Sequence, residues 1–331
     1  MGSKLAQRWV KENRMPLGAQ KAGLFGAAGA ASGGGQIGLF WGGDQSGGTH
    51  VNVIDYITIS SDGNATDFGD IGRASSSGAG TDNGTDARGV NCGGQHDGGG
   101  TVSDVIDYVT ITSAGNSQDF GDLAYARRQP SACSNGTNDR AVVYGSSGNS
   151  QIDYFTITST GNASDFGDLP AASESRKGGT SNGTDERGIF FGGYRDGTNR
   201  DHIDYITINS TGNSTDFGDL SVGRQEASGM SNDTSDRGVC YGGDSSNVID
   251  YITITSTGNA TDFGDAVSNG GEYRRGGMDS GTDNIGICGG GPAVSSKTID
   301  KITISSAGNA SDFGDRTVDG FAVGACANSK A

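Results

Sequence analysis

One short phrase, Ile-Asp-Tyr-Ile-Thr-Ile or a near copy, begins at Ile54, Ile106, Ile152, Ile203, Ile249 and Ile299, at intervals of 46 to 52 residues. A Gly-rich unit precedes each copy, and Asn-x-x-Asp-Phe-Gly-Asp follows it. A period near 50 built from strand-sized pieces marks a propeller or an array, because one such unit cannot bury its own apolar faces. The copies are numbered I to VI below.

Each repeat reads as four short strands. The second is the Gly-x-Phe-x-Gly-Gly unit, at 38–43, 88–94, 140–145, 187–193, 237–243 and 286–290. The third is the Ile-Asp phrase, whose two faces, Ile54/Tyr56/Thr58 and Asp55/Ile57/Ile59, both carry apolar groups. A strand with one wet face alternates cleanly, so this one is expected to be covered on both sides. Gly63-Asn64 and its equivalents predict a two-residue hairpin turn of positive φ. The fourth strand follows as Ala65–Asp70, anchored by Phe68. The first strand of each repeat is small-residued, as in Ser131-Ala132-Cys133-Ser134 and Gly178-Gly179-Thr180-Ser181, which suits strands that converge on an axis. Asn135-Gly136 and Asn182-Gly183 then turn the chain into the second strand.

Sorting the strands by type predicts how the chain closes. No first strand precedes the second strand of repeat I, yet a spare one occurs at Val323–Ala327. The sequence therefore predicts an all-β, six-bladed β-propeller over residues 36–331, its ring closed by the C-terminal strand joining the N-terminal blade. Propellers leave only short, protected sheet edges. Residues 1–35 form a separate region: a short helical arm and a Gly/Ala-rich linker.

The 61 glycines recur at fixed places in the repeats, so they read as turn chemistry rather than low complexity. A net charge of −16 argues against nucleic acid as a partner, since that needs a basic footprint. No apolar run approaches a membrane span, and no secretory signal is visible. The odd count of five cysteines, without metal-type spacing, predicts small buried thiols, neither disulfides nor zinc.

The succession of Arg, small-residue strand, Gly-Gly strand, Tyr-bearing strand and aromatic strand resembles a kelch-type propeller repeat. More narrowly, Ile-Asp-Tyr-Ile-Thr-Ile-x-Ser-Thr-Gly-Asn-Ala-Thr-Asp-Phe-Gly-Asp resembles repeats in virion structural proteins of marine tailed phages, cyanophages especially. The resemblance covers residues 36–331. It implies a structural or fibre-like component of the phage particle, assembled in the host cytoplasm. Phe stands where kelch repeats usually carry a Trp in the fourth strand, so kelch partner biology is not carried over.

In an up-and-down blade the 1–2 and 3–4 turns share one face, and the 2–3 and 4–1 connections share the other. The former are nearly identical among repeats and the latter differ in length and chemistry. Variable loops on a rigid frame are where binding usually resides, although drift among tolerant turns gives the same pattern. The candidate ligand- or partner-binding residues on this variable face are His50, His96, Tyr194, Arg195, Arg200 and His202. A receptor or host-surface glycan is the alternative partner there, in the manner of a tail-fibre or appendage propeller acting in host adsorption. Arg73, Arg127/Arg128, Arg176, Arg224 and Arg274/Arg275 recur near the 4–1 connections, and Arg73, Arg128, Arg176, Arg224 and Arg274 form a candidate anion ring. The competing expectation is structural: a largely buried Asp at the start of each third strand needs a partner, and these arginines are nearest.

In the arm, Ser3 can cap a helix bearing Leu5, Ala6, Trp9 and Val10 on one stripe, ending before Pro16. Five basic residues against the single Glu12 give the first 21 residues a net charge of +4, leaving −20 for the rest. Such a basic amphipathic segment on a flexible linker suits docking to another virion subunit, with Leu5, Arg8, Trp9, Val10 and Lys11 as anchors. Trp9 packing onto the chain's own propeller is the alternative.

Catalytic chemistry finds little support. Asp-Phe-Gly occurs in every repeat, within the fourth strand and without a catalytic-loop partner. Gly289-Gly290-Gly291 opens no helix, which removes a phosphate cradle. The three histidines lie in separate repeats without a Ser or Cys partner in view, and no Asp-x-Asp-x-Asp-Gly calcium loop occurs. Asn-x-Ser/Thr triplets such as Asn64-Ala65-Thr66 match glycosylation acceptors but coincide with the turns. The expectation is a protein that is not an enzyme and has no cofactor or bound metal.

Overall fold

A computed structural model describes residues 36–45, 48–96, 100–145, 149–170, 176–244, 246–267, 275–291 and 296–329. The predicted arm with Leu5, Arg8, Trp9, Val10 and Lys11, and Arg274, lie outside them. The described chain is all-β, its only helical pieces being short 3-10 turns. Repeats III to VI each form a separate four-stranded antiparallel sheet, and these stand as blades in a propeller-like arrangement. In repeat IV the strands are Gly178–Ser181, Arg187–Phe191, His202–Thr207 and Thr215–Asp219. Repeats I and II share a ten-stranded sheet. Within it, Gln95–His96 pairs with both the long fourth strand of repeat I, Thr66–Ser76, and the third strand of repeat II, Thr101–Thr110. Gly324–Ala327 pairs antiparallel with Ile37–Trp41, setting Cys326 opposite Leu39 and Gly324 opposite Trp41.

The third strands are covered on both faces. Ile203, Asp204 and Ile206 are buried and Tyr205 half-buried, and the other repeats follow the same pattern except at the half-buried Asp107 of repeat II. The core lies between sheets. One cluster joins Ile189, Phe191, Ile203 and Phe217 of repeat IV to Cys240, Ile252 and Ile254 of repeat V. Another joins Phe40, Ile57 and Ile59 of repeat I to Ile287, Ile299 and Phe313 of repeat VI. Burying such side chains supplies most of the favourable folding energy, at about 25 cal/mol per Å². The first strands converge closely: a Cβ on Gly229 would lie 2.2 Å from the Gly179 carbonyl oxygen, so the small residues expected there have a direct cause. All five cysteines are free and buried.

The Gly-Asn segments behave differently from the predicted hairpin turns. The third and fourth strands of repeat IV are joined by residues 208–214, and neither Gly212 nor Asn213 has a positive φ. Asn213 instead serves the neighbouring blade, its Oδ1 accepting the Asp168 N–H at 3.0 Å. The same bond recurs from Asp70 to Asn116, Asp122 to Asn162, Asp219 to Asn259, Asp265 to Asn309 and Asp315 to Asn64, all at 3.0–3.1 Å. Backbone bonds flank it, such as Gly212 N–H to the Phe166 carbonyl and Ser214 N–H to that of Asp168.

This clasp also explains Asp-Phe-Gly-Asp. The third and fourth strands carry a β-bulge at Ile203/Asp204, with Ile203 opposite Gly218 and Asp204 opposite Asp216. The bulge sets Gly218 at φ +150, where a Cβ would meet the Gly258 carbonyl oxygen of the next repeat at 2.4 Å. Only glycine admits that approach. On the same side of repeats II to V, a second-strand Arg stacks on its Tyr and donates to the following repeat. Arg187 lies 4.5 Å from the Tyr205 ring centroid and bonds the Ile254 carbonyl at 3.0 Å.

Candidate binding face

The 2–3 connections lie against the 4–1 segments, as in the bonds from Gly193 N–H to Arg224 O and from Asp244 N–H to Gln225 O. The 3-10 turns lie against the 3–4 connections, as in Ile254 N–H to Asp236 O. The variable and the uniform elements are thus sorted into two sets.

Beneath the variable set runs a series of buried ion pairs between successive repeats. Arg127 meets Asp153 at 2.8 Å, Lys177 meets Asp204 at 3.1 Å, Arg224 meets Asp250 at 2.9 Å, Arg275 meets Asp300 at 2.5 Å and Arg316 meets Asp55 at 3.2 Å. These five carboxylates are 0–4% exposed. Arg224 is therefore a structural partner and presents no charge to a ligand. Arg128 and Arg73 are exposed, and of the adjacent pair Arg127/Arg128 it is Arg127 that serves Asp153. Lys177 and Arg316 were not singled out in the sequence. Their signal was that each segment between a fourth strand and the next first strand carries a cation, at no fixed offset.

Among the described residues, repeat II shows no such pair. Asp107 is half-buried, accepts a 3.3 Å bond from Ser117 Oγ, and feels Arg73 only at longer range. Burial outweighs both and pushes its pKa up to about 6. His96 lines the same small polar pocket with Arg73, Asn91, Ser103 and Asp107. It is only 8% exposed, set into that pocket.

At the axis, a cavity of about 100 Å³ is bounded by the first strands and the residues just before them. Ser77, Gln129, Arg176, Glu226 and Ala322 stand at equivalent points around it, all left-handed with φ of 56 to 62. Non-glycine residues in that conformation are held against strain by their surroundings. Arg176 bonds Gln225 Oε1 at 2.8 Å and pairs with Glu226 at 3.2 Å, its guanidinium 5.2 Å from the Tyr194 ring centroid. Arg176 and Tyr194 thus support one another beside the mouth. Among the described residues, the lining contains neither histidine nor cysteine.

Further out on repeat IV, Tyr194–Arg195 pairs with Thr198–Asn199 in a small hairpin. Arg200 donates to the Arg195 carbonyl at 3.4 Å. His202 is 47% exposed and its Nδ1 lies 3.5 Å from Asp219 Oδ1. Asp201 joins them, so that donor atoms of all three residues fall within 4.8 Å of one another. Sequence reading selected His202 but missed both carboxylates, since Asp219 is brought alongside only by the strand pairing. His50, at the start of the third strand of repeat I, is half-buried and distant in sequence from this cluster.

No known protein-family model matches the chain, and no curated protein is similar to it. Among the described residues no helix is long and apolar enough to cross a membrane.

Proposed function

We propose that the chain is a non-enzymatic phage virion component: a six-bladed propeller attached through residues 1–35 to a tail, neck or capsid subunit, with its variable face turned outward. On this reading the ten-stranded sheet is two blades linked by Gln95–His96, and Gly324–Ala327 closes the ring as the first strand of repeat I. Contacts among the first strands support closure. Ala79–Asp82 lies against Ser131–Ser134, and contact continues through Gly178–Ser181, Ser228–Ser231, Gly276–Asp279 and Gly324–Ala327 back to Ala79–Asp82. The virion role rests on the resemblance of the repeat wording to phage particle proteins.

One observation carries the division into an attached and an outward face. Gln36 Nε2 donates to the Ser280 carbonyl at 3.0 Å, and Ser329 Oγ donates to the neighbouring Asp279 carbonyl at 2.5 Å. Both ends of the described chain therefore sit at the same 1–2 turn, on the uniform face. Deleting residues 1–21 should leave the thermal unfolding of the propeller unchanged and abolish its incorporation into particles. Normal incorporation of the truncated chain would remove the docking reading.

A second reading, binding of a host glycan or receptor, is favoured by the grouping of Arg195, Arg200 and His202 on one segment of repeat IV, where His202 is exposed and the two arginines are half-buried. Paired hydrogen bonds from arginine suit carboxylated or sulfated sugars. Replacing the three residues should then abolish host adsorption while assembly survives.

A further inference from the structure

From the geometry of repeat IV we infer that Asp201, His202 and Asp219 form a binding site for a divalent transition-metal ion of the Zn²⁺ class on the variable face. The three side chains bring one imidazole nitrogen and two carboxylate oxygens within 4.8 Å of one another. Nitrogen from His and oxygen from Asp, each about 2.0–2.2 Å from the metal, are normal zinc ligands; around one tetrahedral ion they stand about 3.3–3.6 Å apart, which the 3.5 Å between His202 Nδ1 and Asp219 Oδ1 already meets.

The frame that holds them is rigid. His202 stands directly opposite Asp219 in the ladder between His202–Thr207 and Thr215–Asp219. Asp201 is tied to the same place by the Leu220 N–H donating to its carbonyl at 2.7 Å. Ligands carried on paired strands keep their spacing better than ligands on a loop.

The combination belongs to repeat IV alone. The position opposite the conserved repeat Asp is Val53, Val105, Gln151, Val248 or Thr298 in the other repeats. The residue before it is Asn52, Asp104, Ser150, Asn247 or Lys297. The scaffold supplies the Asp six times; a second carboxylate precedes its partner twice, at Asp104 and Asp201, and an imidazole joins it only in repeat IV. Scaffold requirements therefore explain Asp219 but neither His202 nor Asp201.

An imidazole in the set favours Zn²⁺, Ni²⁺ or Co²⁺ over Mg²⁺ and Ca²⁺, which take oxygen ligands in greater number. Three protein ligands at an exposed position leave coordination open to water or to a carboxylate or imidazole offered from outside.

The test is isothermal titration of the full, chelator-treated chain with ZnCl₂ at pH 7.5, in parallel with His202→Ala, Asp219→Asn and Asp201→Asn. One equivalent should bind. Each substitution should weaken binding by about tenfold or more, the loss that even an outer-shell partner of a metal ligand brings. Thermal unfolding of the metal-free variants should match the parent, since the replaced side chains are exposed or half-buried. A Co²⁺ spectrum should show d–d bands without thiolate charge transfer, separating this site from the five cysteines. Absence of zinc binding, unchanged binding in His202→Ala, or a thiolate signature would each overturn the assignment.

Discussion

The two faces join each repeat to the next by opposite chemistry. The uniform face uses the backbone: an Asn amide carbonyl meets the N–H of an Asp in the preceding repeat, and a loop carbonyl sits where that repeat has a bulged glycine. Backbone geometry admits few substitutes, so Asn and Gly recur at fixed positions. The variable face uses long side chains. Arg316 directly follows Asp315, whereas Arg275 lies ten residues beyond Asp265, yet both reach the carboxylate of the following repeat. The length of an arginine or lysine absorbs the difference in chain path. Sequence constancy therefore marks where the main chain does the joining, and freedom to vary marks where a side chain does it.

The largest effect should come from breaking one of the buried pairs. Arg224→Ala leaves Asp250 uncompensated in a fully buried setting, and loss of one partner of such a pair costs about 3–5 kcal/mol. Denaturant unfolding of the variant should show that loss, and repair by Arg224→Lys should be partial, because Lys177 already serves Asp204 in this way. A change under about 1 kcal/mol would mean that the pairs do not join the repeats.

Much of this architecture was legible in the sequence because the repeats are strict. The strand order, the small residues of the first strands and the pairing of strand-three aspartates with nearby cations all follow from what a covered sheet must bury. The clasp was not legible. Asn-Gly and Gly-Asn pairs are strong turn signals, and local propensity says nothing about an amide that is used by a neighbour some 45 residues away. The site of Asp201, His202 and Asp219 was half legible: adjacency shows the first two, but only strand register brings the third.

Repeat II sharpens the comparison at an intermediate size. Asp107 lacks the buried cation that the other five strand-three carboxylates have, and its pKa stands at about 6 against an ordinary 3.8. The folded state thus holds this proton more tightly than the unfolded chain does. The stabilisation is fully present below about pH 4 and is lost as pH rises through about 6, so near neutrality the charge is a cost. Asp107→Asn should therefore stabilise the protein at pH 7.5 by about 1–2 kcal/mol. A shift of two units is worth about 3 kcal/mol, and partial exposure reduces it. The advantage should shrink to nothing towards pH 4. A stabilisation that does not change with pH would trace to packing instead.

The smallest effect tests the most about the ring. Asn116→Ala removes one exposed clasp bond, between repeats I and II, and should cost about 0.5–1 kcal/mol. Asn64→Ala removes the equivalent bond, made to Asp315, between repeats VI and I. Chain connectivity keeps repeat II beside repeat I whatever the ring does, but it does not keep repeat VI there. In a closed ring the two substitutions are equivalent, and equilibrium unfolding should give matching losses. If the junction of repeats VI and I opens in solution, Asn64→Ala becomes silent while Asn116→Ala keeps its cost. The pairing of Gly324–Ala327 with Ile37–Trp41 leads us to expect equality.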